Sequence, residues 1–396
     1  MDVKSPTKIL FHVQHLLGIG HLKRAATLAR AMEGAGFAVT VVSGGKTVPG
    51  LDIGRADFVQ LAPMRAGDDR FRIMLDDDDR PIDDAFRDGR RDALLAAFDR
   101  ARPDIVLTEL FPFGRRQLRF ELIPLLDAAL ARRDRPLIVS SVRDILVEPG
   151  KPERVDEMLA LVERYYDAVL VHGDPGLIPF DRTFPPARRI ADRLHYTGYV
   201  VDPPPAGAAA GGPGRGTGHG AVIVSAGGGA ISEPLFAAAI EARPMTRLRD
   251  ATWRLLAGHG LPDDAYRRIA AAAGPGIAVE RARADFTTLL ANCALSISQG
   301  GYNTVMDLLA ARCRAVVSPY AGGLESEQTL RAALLRERGA LQVVPERELS
   351  AETVARAAEA ALDGPRPDAA GIDTGGGPAT ARILGALAAR REAVAP

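Results

Sequence analysis

The chain has 396 residues, which is too long for one ordinary hydrophobic core and fits two domains of typical size. Hydrophobic residues make up 47% of it and charged residues 25%, as in ordinary soluble globular proteins. The formal net charge is zero, so the sequence does not indicate a broad basic surface, and we expect no nucleic-acid partner.

Two further features concern the cellular compartment. Cys293 and Cys313 lie in apolar stretches without ligand residues at metal-binding spacing, which is typical of buried thiols in a reducing cytosol. No apolar stretch has the length of a membrane-spanning helix, and the N-terminus lacks the apolar core of a signal peptide. We therefore expect a cytoplasmic protein, and peripheral contact with a membrane surface stays open.

The first half of the chain alternates between strand and helix patterns. Short apolar and β-branched runs predict strands at 8–14, 38–43, 104–108, 136–141 and 167–172. Helical spacing of apolar residues predicts helices at 22–35, 90–100 and 121–132. A glycine-containing turn, HLLGIGH at 15–21, separates the first strand from the first helix. This order is typical of a parallel α/β sheet.

Residues 201–220 are rich in proline and glycine and predict a linker between a first domain, 1–200, and a second, 221–378. In the second half the same alternation predicts strands at 221–225, 252–257, 277–280, 294–298 and 315–319. Helices are expected from about 232, at 303–311, from about 326 and at 351–362. A last helix within 379–396 could pack back onto the first domain. Two such α/β halves around a hinge normally bind ligands in the cleft between them, outside the carboxyl ends of the strands.

Three loops of the second half follow predicted strands and carry residues suited to a phosphorylated ligand. The first contains Gly228 and Gly229, and glycines let backbone amides approach phosphate oxygens. The second, SQGGYNT at 298–304, opens a helix whose N-terminus attracts anions, and Asn303 or Thr304 could cap this helix or bind the phosphate. The third, 320–328, carries Glu and Gln that could accept hydrogen bonds from sugar hydroxyls or only complement a helix dipole.

In the first half, the turn formed by Gly18, Ile19, Gly20 and His21 is the candidate catalytic element. A histidine at a helix N-terminus can act as the general base for an acceptor hydroxyl, because the helix dipole lowers its pKa. The alternative is a surface histidine that caps local backbone.

Two other first-half segments follow predicted strands. The segment 109–116 follows the strand at 104–108, and the segment 141–144 follows the strand at 136–141. Glu109 could assist as a base, and Arg115 and Arg143 could bind an anionic acceptor, with structural salt bridges as the alternative for each. Separately, the acidic run at 76–79 favours a solvated loop over a metal site, so we expect no metal.

Residues 285–333 (DFTTLLANCALSISQGGYNTVMDLLAARCRAVVSPYAGGLESEQTLRAA) resemble the C-terminal domain of MurG-like glycosyltransferases, the family 28 type within the GT-B superfamily. A weaker resemblance covers nearly the whole chain, because residues 12–32 look like the glycine-rich start of this family. It implies two Rossmann-like domains facing across a cleft, and no cofactor. By position it assigns the donor diphosphate to a segment that includes Gly300, Gly301, Asn303 and Thr304.

The same resemblance assigns the remaining donor contacts. Asp307 takes the ribose position, Glu327 and Gln328 take the donor-sugar position, and Ser298 and Gln299 belong to the donor loop. Gln299 replaces a frequent arginine, and the first-half turn is plainer than the glycine-rich loop typical of MurG.

The resemblance implies transfer of a hexose-type sugar from a nucleoside diphosphate, with UDP expected, to a hydroxyl acceptor. The alternatives are a nucleotide-sugar 2-epimerase-like enzyme, which needs several acidic groups, and a non-catalytic sugar-nucleotide-binding or partner subunit. A dehydrogenase is less favoured, because neither half shows GxGxxG followed by an acidic residue about twenty positions later.

Overall fold

The computed structural model describes residues 5–16, 18–68, 71–146, 151–202, 218–226, 233–258, 260–321, 327–367 and 371–394. The chain divides into two compact units. Unit 1 comprises Met1–Val200 and Gly375–Pro396, and unit 2 comprises Val201–Thr374.

Unit 1 is built on a parallel sheet flanked by helices. Its elements up to residue 200 are β1 Lys8–Val13, α1 Gly20–Gly34, β2 Ala38–Ser43, β3 Asp57–Gln60, β4 Arg65–Ala66, β5 Met74–Leu75, α2 Asp84–Ala101, β6 Ile105–Glu109, α3 Arg119–Ala131, β7 Leu137–Arg143, α4 Pro152–Tyr165, β8 Ala168–His172 and β9 Leu194–Tyr196. The seven-stranded sheet has the order β3-β2-β1-β6-β7-β8-β9 with parallel neighbours throughout.

Unit 2 repeats this architecture with six strands. Its elements are β10 Val222–Ser225, α5 Glu233–Ala242, β11 Trp253–Ala257, α6 Asp263–Ala272, β12 Ile277–Arg281, α7 Phe286–Asn292, β13 Leu295–Gln299, α8 Tyr302–Ala310, β14 Ala315–Ser318, α9 Glu327–Glu337, β15 Gln342–Val343 and α10 Ala351–Asp363. The strand order is β12-β11-β10-β13-β14-β15, and all neighbours are parallel. Two Rossmann-like units were predicted from the sequence, and this fold class is confirmed.

The central strands are apolar because helices cover both faces of a parallel sheet. All five residues of β6 and all five of β8 are buried. Edge strands lack this signature, and β3 (DFVQ) has no buried residue. The sequence analysis therefore missed β3, whereas it found the central strands to within two residues.

The helices α6 and α7 of unit 2 were not predicted, and two helices of unit 1 differ from the prediction by more than two residues. The helix α2 begins at Asp84 rather than 90, because the Asp83 side chain caps it by accepting a hydrogen bond from the Phe86 amide. The helix α4 was not predicted, although Pro152 stands in its first turn and Met158, Leu159 and Val162 form a buried stripe. The sequence therefore contained the pattern that predicts this helix.

The C-terminal helix α11, Gly376–Val394, belongs to unit 1 and packs against α1. Ala381 and Leu384 lie in the same buried cluster as Phe11, Val139 and Leu170 of the sheet. The chain thus leaves unit 1 after Val200 and returns to complete its core.

Because Leu384 is fully buried, Leu384→Ala should lower the free energy of unfolding of unit 1 by about 2–5 kcal/mol. Urea unfolding measures this loss. The matched control on the same helix is the exposed Arg382→Ala, which should change stability by less than about 0.5 kcal/mol. Equal, small effects of both substitutions would show that α11 does not contribute to this core.

Candidate functional site

Each sheet reverses the direction of its strand order at one point, between β1 and β6 in unit 1 and between β10 and β13 in unit 2. Open parallel sheets bind ligands outside the carboxyl ends of the strands at such a point. The predicted site residues of unit 1 lie at the ends of β6 and β7 or in the segments after β1 and β6, and those of unit 2 lie at the end of β13 or in the segments after β10, β13 and β14. The strand order therefore gives each unit one candidate site.

In unit 1 the structure brings His21 and Glu109 together. The Nδ1 atom of His21 lies 2.7 Å from Oε1 of Glu109, although the two residues are 88 positions apart. Arg24, one helical turn after His21, donates from Nη2 to the same carboxylate oxygen. The Glu109 side chain is 1% exposed, and its Oε2 atom has no hydrogen-bond partner among the described residues.

The two predicted arginines also lie at this site. The Nη2 atom of Arg143 is 3.2 Å from Nε2 of His21. Arg115 has a positive φ of 58°, and its Nε atom is buried without a hydrogen-bond partner among the described residues. The strand register places Glu109 beside Ser141 and Arg143 beside His172, so these side chains share one face of the sheet. Gly18 is exposed in the preceding turn, and Gly20 is the first residue of α1.

The electrostatics of the cluster favour a neutral imidazole and an ionised carboxylate. Burial lowers the pKa of His21 to about 3, with Arg143 and Arg115 acting in the same direction and Glu109 in the opposite one. The sequence analysis expected this direction from the helix dipole, but desolvation is the larger cause. His21, Arg24 and Arg115 hold the pKa of Glu109 well below its usual range against the effect of burial. Burial also lowers the pKa of Arg115 to about 10, which still leaves it charged at neutral pH.

Two residues of this neighbourhood were missed. Arg24 had a signal in the sequence, because it follows His21 by three positions and so lies on the same helix face. His172 ends the buried strand β8 and contacts the hydroxyls of Ser141 at 2.7 Å and Thr197 at 2.9 Å. Burial lowers the pKa of His172 to about 3, so it is neutral at pH 7.

In unit 2 the loop after β13 leads directly into α8. Gly301 is the N-cap residue and no side chain caps the helix, so the alternative that Asn303 or Thr304 caps it is wrong. The helix begins at Tyr302, one residue earlier than predicted, and its first internal hydrogen bond runs from Val305 N to Gly301 O. The amides of its first turn therefore have no acceptor within the helix and can face an anion.

The other predicted donor residues lie around this turn. Asp307 is half-buried one turn along α8, on the same face as Asn303 and Thr304. Gln299 is the last residue of β13. Ser298 is fully buried within β13, and its hydroxyl is 2.8 Å from that of Ser296, so the Ser298 side chain is not exposed to a donor.

The third loop ends at α9. Glu327 accepts a hydrogen bond from the buried Arg331 at 2.8 Å, and Arg331 stacks over the ring of Tyr302. Gln328 accepts from the amide of Tyr320 at 3.1 Å, which ties the start of α9 to the end of β14. Gly228 and Gly229 lie outside the described residues.

The described ranges hold neither a cluster of metal ligands nor a membrane-spanning helix. No group of three or more His, Cys, Asp or Glu side chains there could hold a metal ion. In the acidic run at 76–79, Asp79 pairs with Arg65 and Asp77 with Lys46. No helix in the described ranges is long and apolar enough to cross a membrane.

The thiols of Cys293 and Cys313 are buried, and their sulfur atoms are 3.2 Å apart.

Comparison with known proteins identifies the second unit. Residues 223–370 match the model of the glycosyltransferase family 28 C-terminal domain. A Mesorhizobium japonicum protein named UDP-N-acetylglucosamine--N-acetylmuramyl-(pentapeptide) pyrophosphoryl-undecaprenol N-acetylglucosamine transferase is 33% identical over 130 residues, which are 32% of this chain and 35% of that protein. Such alignments span between 19% and 35% of the curated relatives' own lengths.

Solved structures extend the likeness to the whole fold. The calicheamicin glycosyltransferase CalG4 has a TM-score of 0.63 and 16% identity, covering 99% of this chain and 100% of that one. MurG of Acinetobacter baumannii has a TM-score of 0.58 and 13% identity, covering 96% of this chain and 100% of that one. At these identities the likeness shows the fold, which is that of GT-B glycosyltransferases.

The two glycines before α8 should respond differently to alanine. A Cβ atom at Gly300 would lie 3.0 Å from Pro319 Cα and 3.2 Å from Val317 Cγ1, whereas one at Gly301 would meet nothing within 4 Å. Gly300→Ala should therefore lower the free energy of unfolding of unit 2 by about 1–3 kcal/mol in urea. The control Gly301→Ala should change it by less than about 1 kcal/mol. The reverse order of effects would contradict this packing.

His172 should make unit 1 less stable in mild acid. Its pKa is about 3 in the folded state and 6.5 unfolded, so between these values the unfolded chain binds the extra proton and stability falls as the pH falls. From pH 7.5 to 5.5 this amounts to about 1.4 kcal/mol. Urea unfolding of wild type and His172→Asn at both pH values measures it. We expect a shallower pH dependence in the variant, and equal slopes would count against a neutral buried His172.

Proposed function

Because unit 2 is a glycosyltransferase family 28 C-terminal domain and the fold is GT-B, we propose that the protein is a hexosyltransferase. It transfers a hexose-type sugar from a nucleoside-diphosphate sugar, with UDP as the expected nucleotide, to the hydroxyl group of an acceptor. The observation that best supports this proposal is the His21–Glu109 contact at 2.7 Å. It fixes the orientation of a neutral imidazole at the carboxyl edge of the unit 1 sheet.

In the proposed reaction, the acceptor oxygen attacks the anomeric carbon of the donor sugar and gives its proton to Nε2 of His21. The bond between the anomeric carbon and the phosphate oxygen breaks, and the diphosphate departs with the electron pair. Glu109 is a positioning residue, because it orients the imidazole through Nδ1 and stabilises the imidazolium that forms. Gly18 and Gly20, in the turn before His21, are proposed to belong to the acceptor side of the site.

Unit 2 holds the donor in this proposal. The amides of the α8 first turn, with Gly300, Gly301, Asn303 and Thr304, bind the diphosphate and stabilise it as it departs. Asp307 is proposed to bind the ribose. Glu327 and Gln328 are proposed to bind the donor sugar, and Gly228 and Gly229 complete the phosphate loop. The ion pair with Arg331 fixes the direction of the Glu327 carboxylate, which can accept more than one hydrogen bond.

The rival functions predict other chemistry at these residues. A 2-epimerase-like enzyme would need several acidic groups, whereas the contacts of His21 in the described part of the site comprise one carboxylate and one guanidinium. A non-catalytic nucleotide-binding subunit would keep its function after His21 is replaced. Neither rival is favoured by an observed contact.

The first test is a thermal-shift panel of UDP, GDP, ADP, TDP and NAD. One nucleoside diphosphate should stabilise the wild type by roughly 2.7 kcal/mol at a hundred times its dissociation constant. The stabilisation should be lost in Asn303→Ala/Thr304→Ala and reduced in Gly301→Ala, whose added Cβ projects into the open space before α8. Stabilisation by NAD alone, or by none of the five, would overturn the proposal.

The variant His21→Gln tests the proposed catalytic base in unit 1. It should keep the nucleotide-induced shift while sugar transfer from the identified donor to a panel of hydroxyl acceptors falls by about 100- to 10,000-fold. Nucleotide binding with undiminished transfer in His21→Gln would exclude the imidazole as the base.

A further inference from the structure

The two cysteines of the sequence, Cys293 and Cys313, lie side by side in unit 2. Their sulfur atoms are 3.2 Å apart, and the residues are 3% and 4% exposed. Each thiol also contacts a backbone carbonyl oxygen, Cys293 that of Leu290 at 3.3 Å and Cys313 that of Arg314 at 3.1 Å. These contacts hold both side chains in place with their sulfur atoms next to each other.

The backbone around both residues suits a disulfide bond. Cys293 directly follows α7, and Cys313 follows α8 with its amide donating to the carbonyl of Leu308. Just beyond them, β13 and β14 pair in parallel from Ser296 and Ala315 onwards. Neighbouring strands lie about 4.8 Å apart, within the separation of about 4.4–6.8 Å that a disulfide bond allows between Cα atoms. Because a disulfide bond is about 2 Å long, closure requires the sulfur atoms to approach by only about 1 Å.

Two other roles fit this pair less well. A zinc site needs further ligands, and within the described ranges no group of three or more His, Cys, Asp or Glu side chains could hold a metal ion. A nucleophilic cysteine needs a stabilised thiolate, whereas contact with the Cys313 sulfur and burial hold the pKa of Cys293 well above its usual range. The Cys293 thiol is therefore protonated at neutral pH, and its reaction with an oxidant should be slow.

We propose that Cys293 and Cys313 form a reversible disulfide bond when hydrogen peroxide oxidises the protein, and that this bond stabilises β13 and α8. One sulfur attacks a peroxide oxygen, the O–O bond breaks, and the other oxygen leaves as water with the thiol proton, so that a sulfenic acid forms. The second sulfur attacks the first, and the sulfenic oxygen leaves as water with the proton of the second thiol. The two thiols lose two electrons, which the peroxide accepts. The second step is favoured because its reactants are already in contact.

The disulfide bond closes a loop from Cys293 to Cys313 that contains β13, the turn at 298–304 and the whole of α8. A crosslink restricts the unfolded chain, so the closed loop should unfold less readily. Both cysteines precede the strands β13 and β14, so the bond forms at the edge of the sheet opposite the carboxyl ends of these strands. Oxidation should therefore stabilise this segment without occupying the candidate anion site at the N-terminus of α8.

The test is mass spectrometry of the full chain after treatment with hydrogen peroxide under native conditions. The protein is then unfolded in urea with N-ethylmaleimide, which adds to every free thiol. Untreated protein should take up two adducts, one for each cysteine. Treated protein should take up none, and its digest should contain the two cysteine peptides joined with the loss of two hydrogen atoms. Dithiothreitol should restore both adducts.

The matched variants are Cys293→Ser and Cys313→Ser, because each replaces one sulfur atom by oxygen. After the same treatment neither variant should yield the joined peptides. Two persisting adducts in treated wild type, oxygen added to the cysteines in place of the bond, or a bond between two chains would overturn the proposal.

Hydrogen exchange measures the stabilisation. In oxidised wild type, amides of β13 and α8 should exchange roughly 10- to 100-fold more slowly than in the reduced protein, whereas those of β1 and α1 should not change. Unchanged exchange in the disulfide-bonded protein, or equal slowing in peroxide-treated Cys313→Ser, would contradict the stabilising role. Neither readout needs a nucleotide or an acceptor, so a failed nucleotide panel would sink the transferase function and leave this disulfide bond standing.

Discussion

The site of unit 1 depends on the burial of one carboxylate, that of Glu109 at the end of β6. A buried carboxylate without partners would take up a proton, but Arg24 and His21 both contact its Oε1 and keep it ionised. Its charge in turn selects the Nδ1–H tautomer of His21 and directs Nε2 towards Arg143. The carboxylate therefore orients the His21 ring directly, and through the ring it determines which nitrogen contacts Arg143.

The position of that carboxylate follows from the order of the strands. The chain builds β1, β2 and β3 outwards in one direction and then returns to place β6 on the other side of β1. The loops after β1 and β6 diverge at this point, which leaves room for the N-terminus of α1 and for the end of β6 to meet. Unit 2 repeats the reversal between β10 and β13, and the loop into α8 occupies the corresponding place.

The sequence predicted the parallel sheets and the residues that follow their strands, because both depend on local patterns. It named His21, Glu109, Arg115 and Arg143 separately, but their contact depends on strand order, which no local pattern encodes. It expected Glu109 to assist as a base, whereas the observed contact is with the nitrogen that orients the ring. Gly228 and Gly229 lie outside the described residues. The MurG-like resemblance in unit 2 is confirmed, since it rests on a contiguous motif.

The two units present different chemical groups at the candidate sites, helix amides in unit 2 and buried charged side chains in unit 1. In unit 2 the candidate anion site consists of helix amides, and the neighbouring Arg331 is paired with Glu327. Partial charges of this kind can stabilise a departing diphosphate without holding it as a fixed cation would. In unit 1 the groups are charged side chains, because the buried Arg24 contacts Glu109, and Arg143 contacts His21. Buried charges of this kind are costly to desolvate, and shifted pKa values that result from burial and charge partners are typical of functional sites.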